Sequence, residues 1–291
     1  MAEPEQEARL VITCADRPGI VAAVSGFLFS HGANITGLHE YSEGSRFFMR
    51  VVFTTDAQAA PDTTLRAAFQ AAVGTPFGMS WEIADAARRK RIAILASKED
   101  HALLELLWRH RHGELYADIA FVASNHIDHA RAVAEFGIPF HHFPIPKDRP
   151  DAKLDVENAL TRHLTSPAAP VELVVLARYM QVLTPEFVAR FPHKIINIHH
   201  SFLPAFIGAK PYHQAHARGV KLIGATAHYV TTELDQGPII EQDVTRVSHR
   251  HTAHDLIRIG RGIEREVLAR AVTWHLEDRV IAHGNKTVVF T

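Results

Sequence analysis

Through the first 85 residues, apolar and polar positions change over in short runs. Arg9-Leu-Val-Ile-Thr-Cys14 reads as a strand and Asp16-Arg-Pro-Gly19 as a turn. Gly19 to Ser30 carries Ile20, Val24, Phe27 and Leu28 at helical spacing, and His31-Gly32 ends that helix. A second strand covers Asn34 to Tyr41, and Glu43-Gly-Ser makes a hairpin turn. Arg46 to Phe53 then sets Phe47, Met49, Val51 and Phe53 on one face. With a helix over Thr63 to Val73 and a strand around Met79 to Ile83, the order is βαββαβ, that of a ferredoxin-like α+β sandwich.

Beyond Ala86-Ala-Arg-Arg-Lys-Arg91, a short basic stretch suited to a linker, the pattern changes. Ile92-Ala-Ile-Leu-Ala, Ile119-Ala-Phe-Val-Ala, Leu173-Val-Val-Leu-Ala and Ile195-Ile-Asn-Ile are near-continuous apolar runs, as expected of parallel strands covered on both faces. Helical segments over 100–111, 128–136, 154–164 and 185–191 alternate with them, which predicts a doubly wound, mostly parallel α/β domain. A strand at 222–230, a turn at Leu234-Asp-Gln-Gly-Pro238, a strand at 239–247, a long helix at 253–276 and a hairpin at 280–290 follow. The expected division is 8–85, a linker at 86–91, and 92–291.

Length agrees, since 291 residues suit two domains. A formal charge of −1 provides no global basic field for nucleic acid or an anionic membrane. No charge-free apolar run approaches the roughly 20 residues that span a bilayer. The single Cys14 has no intrachain disulfide partner, and the acidic start Met1-Ala-Glu-Pro-Glu is unlike a secretory leader, so a reducing, cytoplasmic setting is expected. The 21 histidines are the one compositional oddity.

In an open parallel sheet, ligands bind beyond the carboxyl ends of strands. At the end of the Ile195-Ile196 strand stands Asn197-Ile-His199-His200-Ser201, where Asn197 and His199, two apart, share a face. His200 either joins them or serves packing on the opposite face. The segment Phe202 to Pro211, with two prolines and a glycine, should be a loop beside that cleft. Asp235, in a turn that can re-aim its side chain inward, is the best candidate carboxylate to activate water or orient an imidazole. A metal is the competing reading, since His199, His200, His213, His216 and His228 crowd one region. There is, however, no His-Glu-x-x-His and no cysteine pair.

Asn197-Ile-His199 with Ser201-Phe-Leu-Pro204 and Leu234-Asp235-Gln-Gly-Pro-Ile-Ile240 resembles the folate-dependent formyltransferase family. Ser124-Asn-His126, Gly137 to His142, Leu176 to Leu183, Pro211-Tyr-His-Gln214 and Gly224 to Tyr229 extend the likeness over nearly the whole chain, toward the family's hydrolytic branch. That branch carries an amino-terminal ACT domain, here with Asp16-Arg-Pro-Gly-Ile-Val-Ala22 as its first loop and helix. The resemblance implies hydrolysis of 10-formyltetrahydrofolate to tetrahydrofolate and formate, in one-carbon and purine metabolism, with no cofactor beyond the folate substrate. It implies that Asn197 and His199 stabilise the oxyanion, that Asp235 activates water and that His228 supports them. It also implies that Met180, Gln181, Val182, Leu183, Thr232, Glu233 and Leu234 line the pterin pocket. By the same resemblance, Asp16, Gly19, His31 and Asn34 would contact a small amino-acid effector, and paired ACT domains would make a homo-oligomer, expected to be a tetramer.

Relatives that formylate a glycinamide ribonucleotide have a Gly/Ser/Asn-rich phosphate loop after the first strand of the catalytic domain. Here that stretch is Ala96-Ser-Lys-Glu-Asp-His-Ala-Leu-Leu104, without glycine and with Glu99 and Asp100, which favours water as acceptor. The alternatives are transfer to an amine acceptor, or a catalytically idle amino-acid sensor that keeps the fold.

Overall fold

This computed structural model describes residues 6–55, 63–146, 152–205 and 211–291. The chain forms two compact units. In the first, β1 (Gln6–Ala15), α1 (Ile20–Ser30), β2 (Asn34–Glu43), β3 (Arg46–Thr55), α2 (Thr63–Phe69), a π-helical turn (Gln70–Gly74), α3 (Thr75–Phe77) and β4 (Ser80–Asp85) follow one another. The sheet is antiparallel in the order β2-β3-β1-β4, so the expected ferredoxin-like sandwich is present. Alternation in β1 and β3 directs Leu10, Ile12, Met49, Val51 and Phe53 onto the helical layer, against Val24, Leu28 and Phe69. Full burial of such a side chain contributes about 1.5–3 kcal/mol.

The other face of that sheet is also covered, which alternation alone did not announce. Phe48 is fully buried against Ile281, Val288 and Phe290. Arg50 donates to the carbonyls of Glu277 and Asp278 at 2.9 and 3.1 Å. Glu277–Ile281 and Val288–Thr291 therefore group with the chain up to Arg89, although they had been expected with the 92–291 domain.

The second unit begins at β5 (Lys90–Ala96), inside the stretch expected to be a linker. It continues through α4 (His101–Arg111), β6 (Ala117–Ser124), α5 (Ala130–Ala134), β7 (Phe140–His142), α6 (Ala152–Leu164), β8 (Leu173–Ala177), α7 (Pro185–Ala189) and β9 (Ile195–His199). After these come α8 (Pro211–Arg218), β10 (Leu222–Tyr229), β11 (Ile239–Arg246) and α9 (Ala253–Leu276); the hairpin β12 (Val280–His283) and β13 (Lys286–Val289) follows, with residues 280–281 and 288–289 counted in the first unit. The seven-stranded order is β11-β10-β9-β8-β5-β6-β7, parallel from β9 to β7 and antiparallel at β10 and β11. The chain runs outward from β5 through β6 to β7, then resumes at β8 on the other side. The loops leaving β5 and β8 therefore part beside each other, at the crevice where such sheets bind ligands. Of the loop expected over Phe202 to Pro211, residues 206–210 lie outside the described residues, and Pro211 opens α8. Among the described residues no helix is long and apolar enough to cross a membrane.

Candidate active site

A cavity of about 630 Å³ opens at the carboxyl ends of β8 and β9. Extended backbone in β9 brings Asn197 and His199 to the same side, and both line it. The antiparallel register of β10 on β9 sets His228 opposite Asn197. A carbonyl oxygen only accepts, so His228 donates its Nδ1–H to Tyr229 O at 2.9 Å. Its Nε2 is then left to accept from the Asn197 amide at 3.2 Å.

Asp235 arrives from the turn after β10. Its φ of 56° lies in the left-handed region, and Gly237 allows the turn to close, since a Cβ there would stand 1.7 Å from Tyr229 O. Turned inward, Asp235 Oδ2 lies 3.2 Å from His199 Nδ1 and its Oδ1 lies 3.7 Å from His228 Nε2. Burial works against ionisation of this carboxyl, yet the hydrogen bond and charge of His199, with His228 close by, outweigh it and hold Asp235 well below the usual carboxylate range. It is thus ionised at neutral pH. With Nδ1 committed to Asp235, His199 keeps a buried Nε2 that has no hydrogen-bond partner. The same cavity therefore presents an amide, an unsatisfied imidazole nitrogen and a carboxylate, the inventory for adding water to a carbonyl.

Met180, Gln181, Val182, Leu183, Thr232, Glu233 and Leu234 all line the cavity. Met180, Val182 and Leu234 are 56%, 58% and 59% exposed, an apolar surface left open toward a ligand. The loop that carries the first four is pinned at both ends. Met180 N–H donates to Ser97 Oγ at 3.0 Å, and Ser97 donates to Asn125 Oδ1 at 2.7 Å, joining the ends of β5, β6 and β8. At the other end, Thr184 caps α7 and donates its N–H to the buried Glu157 at 3.1 Å.

Several groups in the cavity escaped the sequence reading. Glu264, 1% exposed on α9, accepts from His101 Nε2 at 2.9 Å and Tyr212 Oη at 2.7 Å, with Arg178 Nε at 3.4 Å. Burial opposes its ionisation, but those donors and the Arg178 charge hold it below the ordinary glutamate value. Tyr212 reaches Glu264 by crossing α9 at Gly260, where a Cβ would meet its hydroxyl at 2.0 Å. The signal was present: Leu256, Gly260, Glu264, Val267 and Ala271 share one buried stripe of α9, and a carboxylate within such a stripe demands partners. His200 also faces this cavity. Burial, aided by the Arg178 charge, pushes it down to about 3, so it is neutral. Glu99 lines the cavity too, with its charge met by Arg261 at 2.6 Å. Of the crowded histidines, His213 lines the cavity and His216 lies exposed on α8. Among the described residues no three His, Cys, Asp or Glu side chains are grouped to hold a metal ion.

The effector candidates lie in the first unit, and one chain does not bring them together. Asp16 and Gly19, the latter left-handed at φ 93°, precede α1. His31 caps its far end, bonded to Phe27 O at 2.8 Å, and Asn34 begins β2 beyond it. Eleven helical residues separate the pairs by about 16 Å.

A family model described as formyl transferase matches residues 90–272, and one described as ACT domain matches 8–73. The formyltetrahydrofolate deformylase of Bacillus subtilis is 54% identical over 289 residues, covering 98% of this chain and 94% of that protein. That of Mycobacterium tuberculosis is 52% identical, over 97% of this chain and 90% of the other. The chain belongs to the formyltetrahydrofolate deformylase family. A solved deformylase structure from Pseudomonas syringae pv. tomato aligns with a TM-score of 0.91 at 49% identity, covering 99% of this chain and 95% of that one. Glycinamide ribonucleotide transformylase 1 from Symbiobacterium toebii aligns with a TM-score of 0.64 at 31% identity, covering 70% of this chain and 95% of that one. The chain has the expected fold, an ACT domain followed by a mostly parallel α/β formyltransferase domain.

Proposed function

We propose that Asn197, His199 and Asp235 are the groups with which this deformylase family member hydrolyses 10-formyltetrahydrofolate to tetrahydrofolate and formate. The observation that carries the reading is the buried, unpartnered Nε2 of His199 beside the Asn197 amide, with Asp235 at the ring's other nitrogen. Asp235 Oδ1, beyond hydrogen-bond length from His228, has capacity to accept a proton from water. Water adds to the formyl carbon, and its proton passes toward Asp235. The oxyanion so formed is met by the Asn197 N–H and by His199 Nε2 when that nitrogen carries a proton. Collapse breaks the bond from carbon to N10, which takes up the proton, and formate leaves. Donors fixed where charge develops can be worth several kcal/mol because they need not reorganise. His228 acts through Asn197 by holding its amide. Met180, Gln181, Val182 and Leu183 with Thr232, Glu233 and Leu234 form the pterin pocket in this reading.

The chemistry uses no group beyond the substrate and these side chains, and we place it in the cytoplasm. For the ACT unit we propose a small amino-acid effector touching Asp16, Gly19, His31 and Asn34. Since one chain holds these as two pairs about 16 Å apart, such a site takes one pair from each of two copies, in a homo-oligomer we expect to be a tetramer.

The test is formate release from 10-formyltetrahydrofolate, with and without glycinamide ribonucleotide, in wild type and Asp235→Asn. Formate without acceptor is expected in wild type, falling at least about 10³-fold in kcat in the variant while folate binding stays within a few-fold. Full activity in Asp235→Asn, or formyl transfer only when the acceptor is present, would overturn the reading.

A further inference from the structure

We propose that Arg178 is the specificity-determining residue that reserves this cavity for water by standing where an amine acceptor would have to approach the formyl carbon; the inference rests on the hydrolytic reading above.

Arg178 is the first residue after β8 and has φ 61°, a conformation sparsely populated by any residue with a Cβ and natural for glycine. An arginine kept there needs both a restraint and a use. The restraint is Glu264, whose carboxylate stands 3.4 Å from Arg178 Nε and is otherwise saturated by His101 and Tyr212. Two donors and the Arg178 cation around one fully buried carboxylate make a rigid wall, and they leave Glu264 with little capacity to serve a ligand.

The use follows from which elements line the cavity. One set is the loops after β8 and β10, with the open apolar surface of Met180, Val182 and Leu234. The other set comes from α4, α8 and α9 and includes His101, Tyr212, Arg261 and Glu264. Arg178 begins in the first set and ends against the second, with its side chain only 12% exposed. It therefore runs from the loop of the folate surface to the α9 wall, and its charge acts on His200, whose ring packs edge-on against His199. A water molecule passes such a barrier where a substituted amine does not. Without the side chain, an acceptor amine could attack the same carbon. A bond from carbon to the acceptor nitrogen forms, the bond to N10 breaks, and the proton lost by the amine reaches N10 by way of Asp235.

Arg178→Gly suits the left-handed backbone and removes the barrier. The full chain would be given saturating 10-formyltetrahydrofolate and an excess of glycinamide, with formate and N-formylglycinamide quantified by mass spectrometry and melting followed in parallel. Wild type should yield formate alone. The variant should melt lower than wild type, because buried Glu264 loses the Arg178 charge, yet stay folded at the assay temperature and raise the ratio of formyl transfer to hydrolysis at least tenfold. Should the glycine variant fail to fold, Arg178→Asn, also tolerant of positive φ, provides the same comparison. A folded variant with the wild-type ratio overturns the proposal, because a merely structural Arg178 would not set that ratio. A folded variant that makes neither product also overturns it, since Arg178 would then be required for the chemistry itself. If wild type released no formate, the hydrolytic reading would have failed instead.

Discussion

The two sets of residues matched to family motifs behave differently in space. Asn197, His199, His228 and Asp235 come from β9, β10 and the turn beyond, yet they meet within hydrogen-bond or ion-pair distance. Asp16, Gly19, His31 and Asn34 are closer in sequence but lie in pairs at opposite ends of α1. A sheet enforces convergence: period two aligns 197 with 199, and register presents 228 to 197. A helix instead holds its two ends a fixed length apart. Nearness along the chain is therefore a poor guide to a shared site, and the proposed catalytic cluster should be the less forgiving of the two.

The largest effect short of Asp235 is expected at Asn197. Replacing it with alanine removes the proposed oxyanion donor and takes from His228 Nε2 its Asn197 partner, so kcat for formate release should fall about 10²-fold with KM nearly unchanged. A loss confined to KM would show that the amide binds substrate rather than the developing charge.

Acid should next expose the cost of the second unit's buried imidazoles. Burial pushes His200 down to about 3 and, helped by the charge of Lys90, also pushes His275 down to about 3, from an ordinary 6.5. Below pH 6.5 the unfolded chain takes up protons that the folded chain refuses, so stability falls with pH until about pH 3. The slope is about 1.4 kcal/mol per pH unit for each group. Denaturant melts between pH 7 and 4 measure it, and His275→Gln should remove close to half of the contribution of this pair. An unchanged slope in that variant would mean that His275 takes up no proton on unfolding.

The smallest effect concerns the ACT residues. Asp16→Ala should leave formate release within two-fold in the absence of amino acids. In calorimetric titration with a panel of small amino acids, any heat should vanish both in this variant and on dilution to separated chains. Binding that survives dilution would show that one chain completes the site.

Much of this was legible in the sequence for specific reasons. Near-continuous apolar runs marked β5, β6, β8 and β9 because both faces of those strands are covered, and α9 showed its full length through one sustained buried stripe. The three-residue β7 was too short to have a period, and α8 starts at a proline that reads equally well as loop. Asn197, His199 and Asp235 were legible because polar groups at a strand end and in a turn stand out. Glu264 was not, because Arg261, Arg265 and Glu266 beside it made the segment look like a solvated face. Arg178 was hidden for another reason: its left-handed backbone is a property of the folded chain, and no neighbour in sequence announces it.

The covering of Phe48 by Ile281 and Phe290 has a consequence for the order of synthesis. Residues 6–85 are made well before residues 277–291, yet it is the later ones that close the back of the first unit's sheet. Until they arrive, a fully apolar side chain and the Arg50 guanidinium face solvent on the nascent sheet. Contacts that join positions so far apart in the chain are also slow to form. Synthesis must therefore pass residue 290 before the first unit can reach its final state, and during that interval the bare sheet face is the surface most exposed to wrong partners.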